Sequence, residues 1–429
     1  MGAQVIEWTQ PRGVWVPLVL GLAIAIARGF AGTADNPPIA AASALSPEAE
    51  IGRQMFSDQS LSTSGRISCA TCHDPRHAYA PANGLAVQPG GASLTAFGTR
   101  AVPSLRYQEF TPPYADLLDN PDGISPPGPG GGFTSDGRAA SLARQAEIPL
   151  LASNEMANRS KTDVVDRIAA STYADDFRRV FGWDVLGDVE TAFQRAVGAL
   201  QAFQLEDVSF HPYSSKYDLY ASNKQGGSLS PAEQRGFLVF NDPAKGNCFA
   251  CHYNGAGING SVRLFTDFSY AAIGVPRNPE IPVNRDPSYF DLGICSRADH
   301  PLPANARYCG MFKTPTLRNV ASRRVFFHNG QLKSLHDVIR FYNTRDTRPE
   351  DWYPVVQGVV QKFDDLPPAY RGNIDTQAPL DGRARGTAPP MSDQDMADLE
   401  AFLQTLNDGD QQQAGSKSPP VFFSKIGVR

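Results

Sequence analysis

One pentapeptide constrains this chain more than anything else in it, because it occurs twice: Cys69-Ala-Thr-Cys72-His73 and Cys248-Phe-Ala-Cys251-His252. Two thiols one helical turn apart can add across the two vinyl groups of a haem, and the adjacent His then presents its imidazole to the iron from the same side. The pair predicts a fold built around two covalently bound c-type haems. The competing reading is a zinc site of four cysteines. It fits badly, since the two pairs lie far apart in the chain and each is followed by His.

The surroundings narrow the class. A net charge of −5 over 429 residues leaves no basic excess with which to hold nucleic acid. The 38 Gly and 35 Pro imply many fixed turns and argue against a coiled coil. An apolar run, Val14 to Ala27, is too short for a bilayer core of about 30 Å and is followed by small residues, so residues 1–34 read as a signal peptide and the mature chain as periplasmic. Glu7 and Arg28 make its flanks untidy, and an uncleaved anchor is the alternative. No later stretch could span a membrane.

Periodicity places helices after the Ser46 cap, over Arg138 to Ala152, Lys161 to Phe181, Asp188 to Phe203, Leu335 to Tyr342 and Ser392 to Leu406. Long Gly/Pro-rich loops separate them, and no strand pattern lasts more than a few residues. The class is mainly α with long ordered loops. Ser230-Pro-Ala-Glu-Gln-Arg-Gly-Phe echoes Ser46-Pro-Glu-Ala-Glu-Ile-Gly, each preceding one Cys-x-x-Cys-His, so the second half repeats the first. The expected units are 35–205 and 206–410, each with one haem, and a polar tail 411–429 in which Val421-Phe-Phe could dock back. Cys295 and Cys309 close a loop of about fifteen residues and, in an exported protein, are expected to form a disulfide, worth about 3 kcal/mol in the chain-entropy view.

Whether such a chain carries electrons or performs catalysis depends on the sixth ligand of each iron. Beyond the two proximal residues only His77, His211, His300, His328 and His336 remain, and the first half adds only Met55 and Met156. His77 follows His73 too closely to cross the ring, so this inventory predicts an open first haem.

At this point the residues resemble a known family, the bacterial dihaem cytochrome c peroxidases including their MauG-type branch. Beyond the haem motifs, the likeness rests on Asp136-Gly-Arg-Ala-Ala-Ser-Leu-Ala-Arg-Gln145, Pro149-Leu-Leu-Ala-Ser-Asn-Glu155-Met156, Phe312-Lys-Thr-Pro-Thr-Leu-Arg-Asn-Val320 and Phe327-His328-Asn-Gly330. It implies two cytochrome-c-like domains, with hydrogen peroxide handled at the first haem and electrons received at the second. Gln145 and Glu155 then match the distal pair, where a carboxylate can move a proton between the peroxide oxygens. The loop His that some members carry after the proximal one is replaced by Gln88-Pro89-Gly90. For the second haem the likeness favours Tyr342 as sixth ligand, with Met311 the alternative; phenolate would lower the iron potential.

Three departures stand out. The Trp that members place between the haems is Ser135 here, leaving Phe133 or a direct path. The members' calcium Asn maps to Ala101, and its carbonyl ligands map near Arg323 and Val325, so calcium is disfavoured and a guanidinium is the expected substitute. The MauG surface Trp maps to Gly246, so that branch's particular protein substrate is not implied. The donor is expected to be a small redox protein or an oxidisable protein substrate; the rival function is a dihaem electron-transfer cytochrome without catalysis.

Overall fold

Ser46 opens the first helix in the manner its sequence suggests. Its side chain accepts from the Ala49 amide, Pro47 sits where no amide is needed, and α1 runs Pro47–Ser57 with Ile51, Met55 and Phe56 buried on one face. The computed structural model describes residues 44–123, 125–224, 226–256, 262–299 and 306–409. The expected signal peptide and the tail 411–429 lie outside them.

After α1 come the short α2 (Cys69–Cys72), α3 (Leu142–Leu151), α4 (Lys161–Ala169), α5 (Ala174–Phe181) and the long α6 (Val189–Glu206). The second half supplies α7 (Lys216–Ala221), α8 (Pro231–Asn241), α9 (Leu335–Thr344) and α10 (Asp393–Gln404), with Cys248–Ala250 in a 3-10 turn. Among the described residues four two-stranded antiparallel ladders punctuate the loops: β1 (Pro89–Gly90) with β2 (Ala96–Phe97), β3 (Ala115–Leu118) with β4 (Gly128–Gly130), β5 (Tyr270–Ala271) with β6 (Phe312–Lys313), and β7 (Val355–Val356) with β8 (Val359–Val360). None of these strands exceeds four residues. Among the described residues no helix is long and apolar enough to cross a membrane.

The repeat in the sequence is a repeat in packing. α1 crosses α6, and α8 crosses α10. At each crossing the glycine six residues after the capping serine lets two backbones touch: a Cβ on Gly52 would lie 1.9 Å from the Ala199 carbonyl oxygen, and one on Gly236 would lie 1.9 Å from that of Asp398. Around the first crossing Phe56, Phe177, Phe193, Phe203 and Phe210 build one apolar core; around the second Phe240, Phe265, Phe341 and Phe402 build another. The first core ends in sequence at Phe210 and the second begins at Tyr217, and α6 reaches one residue past the expected boundary at Leu205.

Two expected helices differ most from what is observed. The Lys161 to Phe181 run breaks into α4 and α5, because Ser171 turns its hydroxyl onto the Ile168 carbonyl (2.7 Å) and Tyr173 is drawn to Asp58 (2.8 Å). α3 starts at Leu142 rather than Arg138, since Asp136 and Arg138 are held in an ion-paired turn through Gly137 at φ +71°. Cys295 and Cys309 are joined as a disulfide with Cα atoms 5.0 Å apart.

Candidate haem cavity and its polar lining

Both Cys-x-x-Cys-His segments open onto one continuous cavity of about 600 Å³. In the first half, Ser68 and Thr71 form a reciprocal cap that starts α2 and sets Cys69 and Cys72 one turn apart. All four motif cysteines are free thiols. Burial pushes Cys69 up to about 12 and Cys72 to about 11, and both Cys248 and Cys251 to about 12. The thiols therefore stay protonated near pH 7.

The two imidazoles are oriented alike. His73 Nδ1 donates to the Tyr79 carbonyl at 3.0 Å, and His252 Nδ1 donates to the Phe265 carbonyl at 3.1 Å. Each acceptor residue takes a left-handed backbone, φ 55° at Tyr79 and φ 58° at Phe265, which is uncommon for an aromatic residue. With the proton fixed on Nδ1, Nε2 keeps its lone pair, the arrangement in which histidine binds a metal. Burial lowers both imidazoles to about 4, so they stay neutral near pH 7.

Gln145 and Glu155 both line the cavity with His73. Gln145 projects from the first turn of α3; Glu155 follows the end of that helix on a turn whose backbone is gripped by Gly90 and Gly91. The Gly91 amide donates to the Glu155 carbonyl at 2.8 Å, and a Cβ on Gly90 would strike the Asn154 carbonyl oxygen at 2.2 Å. The Gln88-Pro89-Gly90 segment thus supports the Glu155 turn. Burial raises the Glu155 carboxyl above its ordinary value, and the Arg138 charge opposes that rise. Among the described residues neither the Glu155 carboxylate nor the Gln145 amide has a hydrogen-bond partner. Met156, beside Glu155, also lines the cavity, while Met55 is buried in the first core.

Around His252, Tyr342 lines the cavity and Met311 does not. Met311 packs beside the Cys295–Cys309 disulfide and Leu366. Burial first, and the nearby Cys251 and Cys248 thiols next, hold the Tyr342 phenol well above its ordinary pKa. Its hydroxyl has no protein partner among the described residues. Phe133 and Ser135 also line the cavity. Of the remaining histidines, His77 lies 3.2 Å from Asp74, His336 lies 3.3 Å from Glu400, and neither it nor His211 reaches the cavity; His300 is outside the described residues.

Sequence reasoning gave no role to several charged groups of the lining. Asp136, fully buried, receives Arg100 at 2.7 Å and also Arg138, and Arg100 continues to Asp291 at 2.6 Å. Lys313 donates to the Gly132 carbonyl and is lowered by burial to about 8. His328 stacks on Phe312 with ring centres 3.6 Å apart. The Asp-Gly-Arg and Phe-Lys-Thr-Pro motifs carried these residues in plain view; their pairing depends on contacts between distant segments. Arg323 donates from Nη2 to the Val102 carbonyl (3.2 Å) and from Nε to the Val325 carbonyl (3.3 Å). No three His, Cys, Asp or Glu side chains gather as a metal cluster among the described residues.

Known proteins resemble this chain in sequence and fold. A family model described as di-haem cytochrome c peroxidase matches residues 46–226. The methylamine utilization protein MauG of Paracoccus denitrificans is 35% identical over 310 residues, covering 70% of this chain and 75% of that one. The chain belongs to the MauG-like dihaem peroxidase family. It is a peroxidase-like oxidoreductase, and the family implies two haems. Cytochrome c551 peroxidase of Nitrosomonas europaea is 28% identical over 315 residues, 71% of this chain and 77% of the relative. The solved dihaem peroxidase BthA of Burkholderia thailandensis superposes with a TM-score of 0.74 at 39% identity, covering 84% of this chain and 86% of that one.

Proposed function

We propose that this chain is an exported, periplasmic peroxidase with two covalently attached c-type haems, one in each of the units 35–205 and 206–410, and that hydrogen peroxide reacts beside His73, Gln145 and Glu155. The observation that carries the reading is that Gln145 and Glu155, two polar side chains with no protein partner among the described residues, line the same cavity as Cys69, Cys72 and His73. Neither side chain is tied up by the described residues, so both are free to engage what occupies the cavity.

The residues fit a haem in both halves: paired free thiols, a His with its proton on the far nitrogen, and an apolar surround. When bound, the haem iron supplies the centre that binds and reduces peroxide. Glu155 accepts the proton of the incoming peroxide at its carboxylate and returns it to the departing oxygen, for which a raised pKa suits it. Gln145 orients the peroxide through its amide. Arg138, anchored on Asp136, limits how far the Glu155 carboxyl rises. In the other half Tyr342, which lines the cavity together with His252, would hold the second haem through its phenolic oxygen, and that half relays electrons. Phe133 is the aromatic group available between the two motifs where Ser135 stands. The donor is a small redox protein or an oxidisable protein side chain.

The test is direct. Fully ferric protein mixed with hydrogen peroxide in a stopped-flow instrument is expected to change its Soret spectrum without prior reduction and to carry a high-spin ferric signal at rest. A purely electron-transferring cytochrome would show neither.

A further inference from the structure

Arg323 is the one strongly enclosed guanidinium of the cavity wall whose charge no carboxylate answers among the described residues. Its neighbours on the wall are paired: Arg100 with Asp136 and Asp291, and Arg138 with Asp136. Arg323 has two backbone carbonyls instead, Val102 and Val325. Burial is the sole cause acting on it and lowers it to about 10, so it keeps its charge at neutral pH. A cation held by peptide oxygens from distant segments is the chemistry of a bound hard metal ion, built here from a side chain.

The place matters as much as the charge. Val102 precedes Pro103, whose carbonyl also reaches the His73 imidazole, and the positive charge of Arg323 is felt at that ring. Arg323 follows the 3-10 turn Val320–Ser322 of the second half. The same seam holds the Ala101 amide on the His328 carbonyl at 2.7 Å. Ala101 has no side-chain oxygen to offer a metal, and a dication placed on these carbonyls would meet a guanidinium already there. The residues present do not fit calcium.

We propose that Arg323 is a built-in organic cation that takes the place of a dication: its guanidinium clamps the Val102 and Val325 carbonyls, ties the loop beside His73 to the second half, and keeps a permanent positive charge near the first haem. Arg323 is thus a positioning residue, acting through the His73 loop and its field. A fixed positive charge near an iron favours the reduced state, so removing it lowers the reduction potential of that haem.

The inference rests on the haem reading of His73, and the experiment separates the two. A pyridine haemochrome assay on the parent holoprotein comes first; fewer than two haems would sink the haem reading itself. The parent is then dialysed against EDTA and titrated with calcium, with the first haem followed through its high-spin ferric signal during a spectroelectrochemical titration. Neither step is expected to change spectrum or potential, and a chelator-induced change reversed by calcium would overturn the proposal. Arg323→Gln is expected to shift the first-haem potential downward and leave that of the second haem in place. Arg323→Lys, which keeps the charge, is expected to restore most of it. Parental potentials in both variants would overturn the electrostatic claim. Should Arg323→Gln not fold, the lysine variant and the chelation arm still decide.

Discussion

A single carboxylate carries the chemical argument at the residue scale. Glu155 must be ionised to take the peroxide proton, and burial raises its pKa above the ordinary 4.5. The peroxide reaction is therefore expected to slow as pH falls through that raised value, because the acceptor form is lost on the acid side. Glu155→Gln should slow the reaction 10²- to 10⁴-fold, about the usual worth of a positioned proton carrier, and remove the acid limb while both haems remain bound. A variant reacting at the parental rate would leave Glu155 as a supporting residue of its turn. Tyr342 and Met311 offer a second residue-scale decision. Tyr342→Phe is expected to shift the second haem's spectrum and Met311→Leu to leave it alone, since Met311 packs by the disulfide away from the cavity. Loss of the low-spin signal in Met311→Leu would reverse the assignment. The attachment residues could be read directly, because the motif is contiguous and its spacing is dictated by the ligand. Lys313 could not be given a role, because it acts through a segment remote in sequence, on the Gly132 carbonyl, and the carbonyl of Val102 that Arg323 holds is likewise distant in the chain.

Helix caps and helix crossings behave differently when the sequence is read alone. Ser46, Ser230 and Ser392 marked helix starts, because a cap needs only the three residues after it; all three accept from the amide three positions on. The break between α4 and α5 was hidden, since Val164, Ile168 and Phe177 are all buried and their spacing suits one continuous stripe. The duplicated glycines were visible as a repeat, though their purpose became clear only with the partner helices in place. Their energetic sign can be worked out. Gly→Ala in a helix interior gains about 1 kcal/mol of propensity. At Gly52 and Gly236 the new methyl would sit 1.9 Å from a backbone carbonyl oxygen, so the crossing itself must open. Overpacking of this kind costs about 1–3 kcal/mol or more, and it strikes backbone that cannot step aside. Gly52→Ala and Gly236→Ala are each expected to lower the thermal unfolding midpoint, whereas Gly187→Ala, where nothing lies within 4 Å, should not. Equal midpoints in all three would mean that the crossings flex more than their geometry implies.

Over the whole molecule, two cores share one cavity, so the seam between them has to be held by something other than core packing. Asp408 supplies the densest knot. Its carboxylate, 3% exposed, accepts from Tyr107 Oη (2.7 Å), Arg106 Nη1 (3.0 Å), Asn319 Nδ2 (2.6 Å) and the Ser214 amide (3.1 Å). Those partners come from the first half, the stretch joining the two cores, and the second half, so one side chain fastens three segments. Deleting it would leave the partly buried Arg106 guanidinium without its counter-charge and the Tyr107 hydroxyl with only the Tyr213 amide. Removing one member of a buried ion pair typically costs roughly 3–5 kcal/mol. Asp408→Ala is accordingly expected to lower the unfolding midpoint markedly while pyridine haemochrome still counts two haems, because neither attachment motif touches the knot. Asp408→Asn, which keeps an acceptor for Tyr107 and Arg106 but no charge, should fall between the two. If Asp408→Ala unfolds at the parental temperature, the halves are held by the cavity's occupants instead, and reducing haem occupancy would then loosen the seam where the substitution did not.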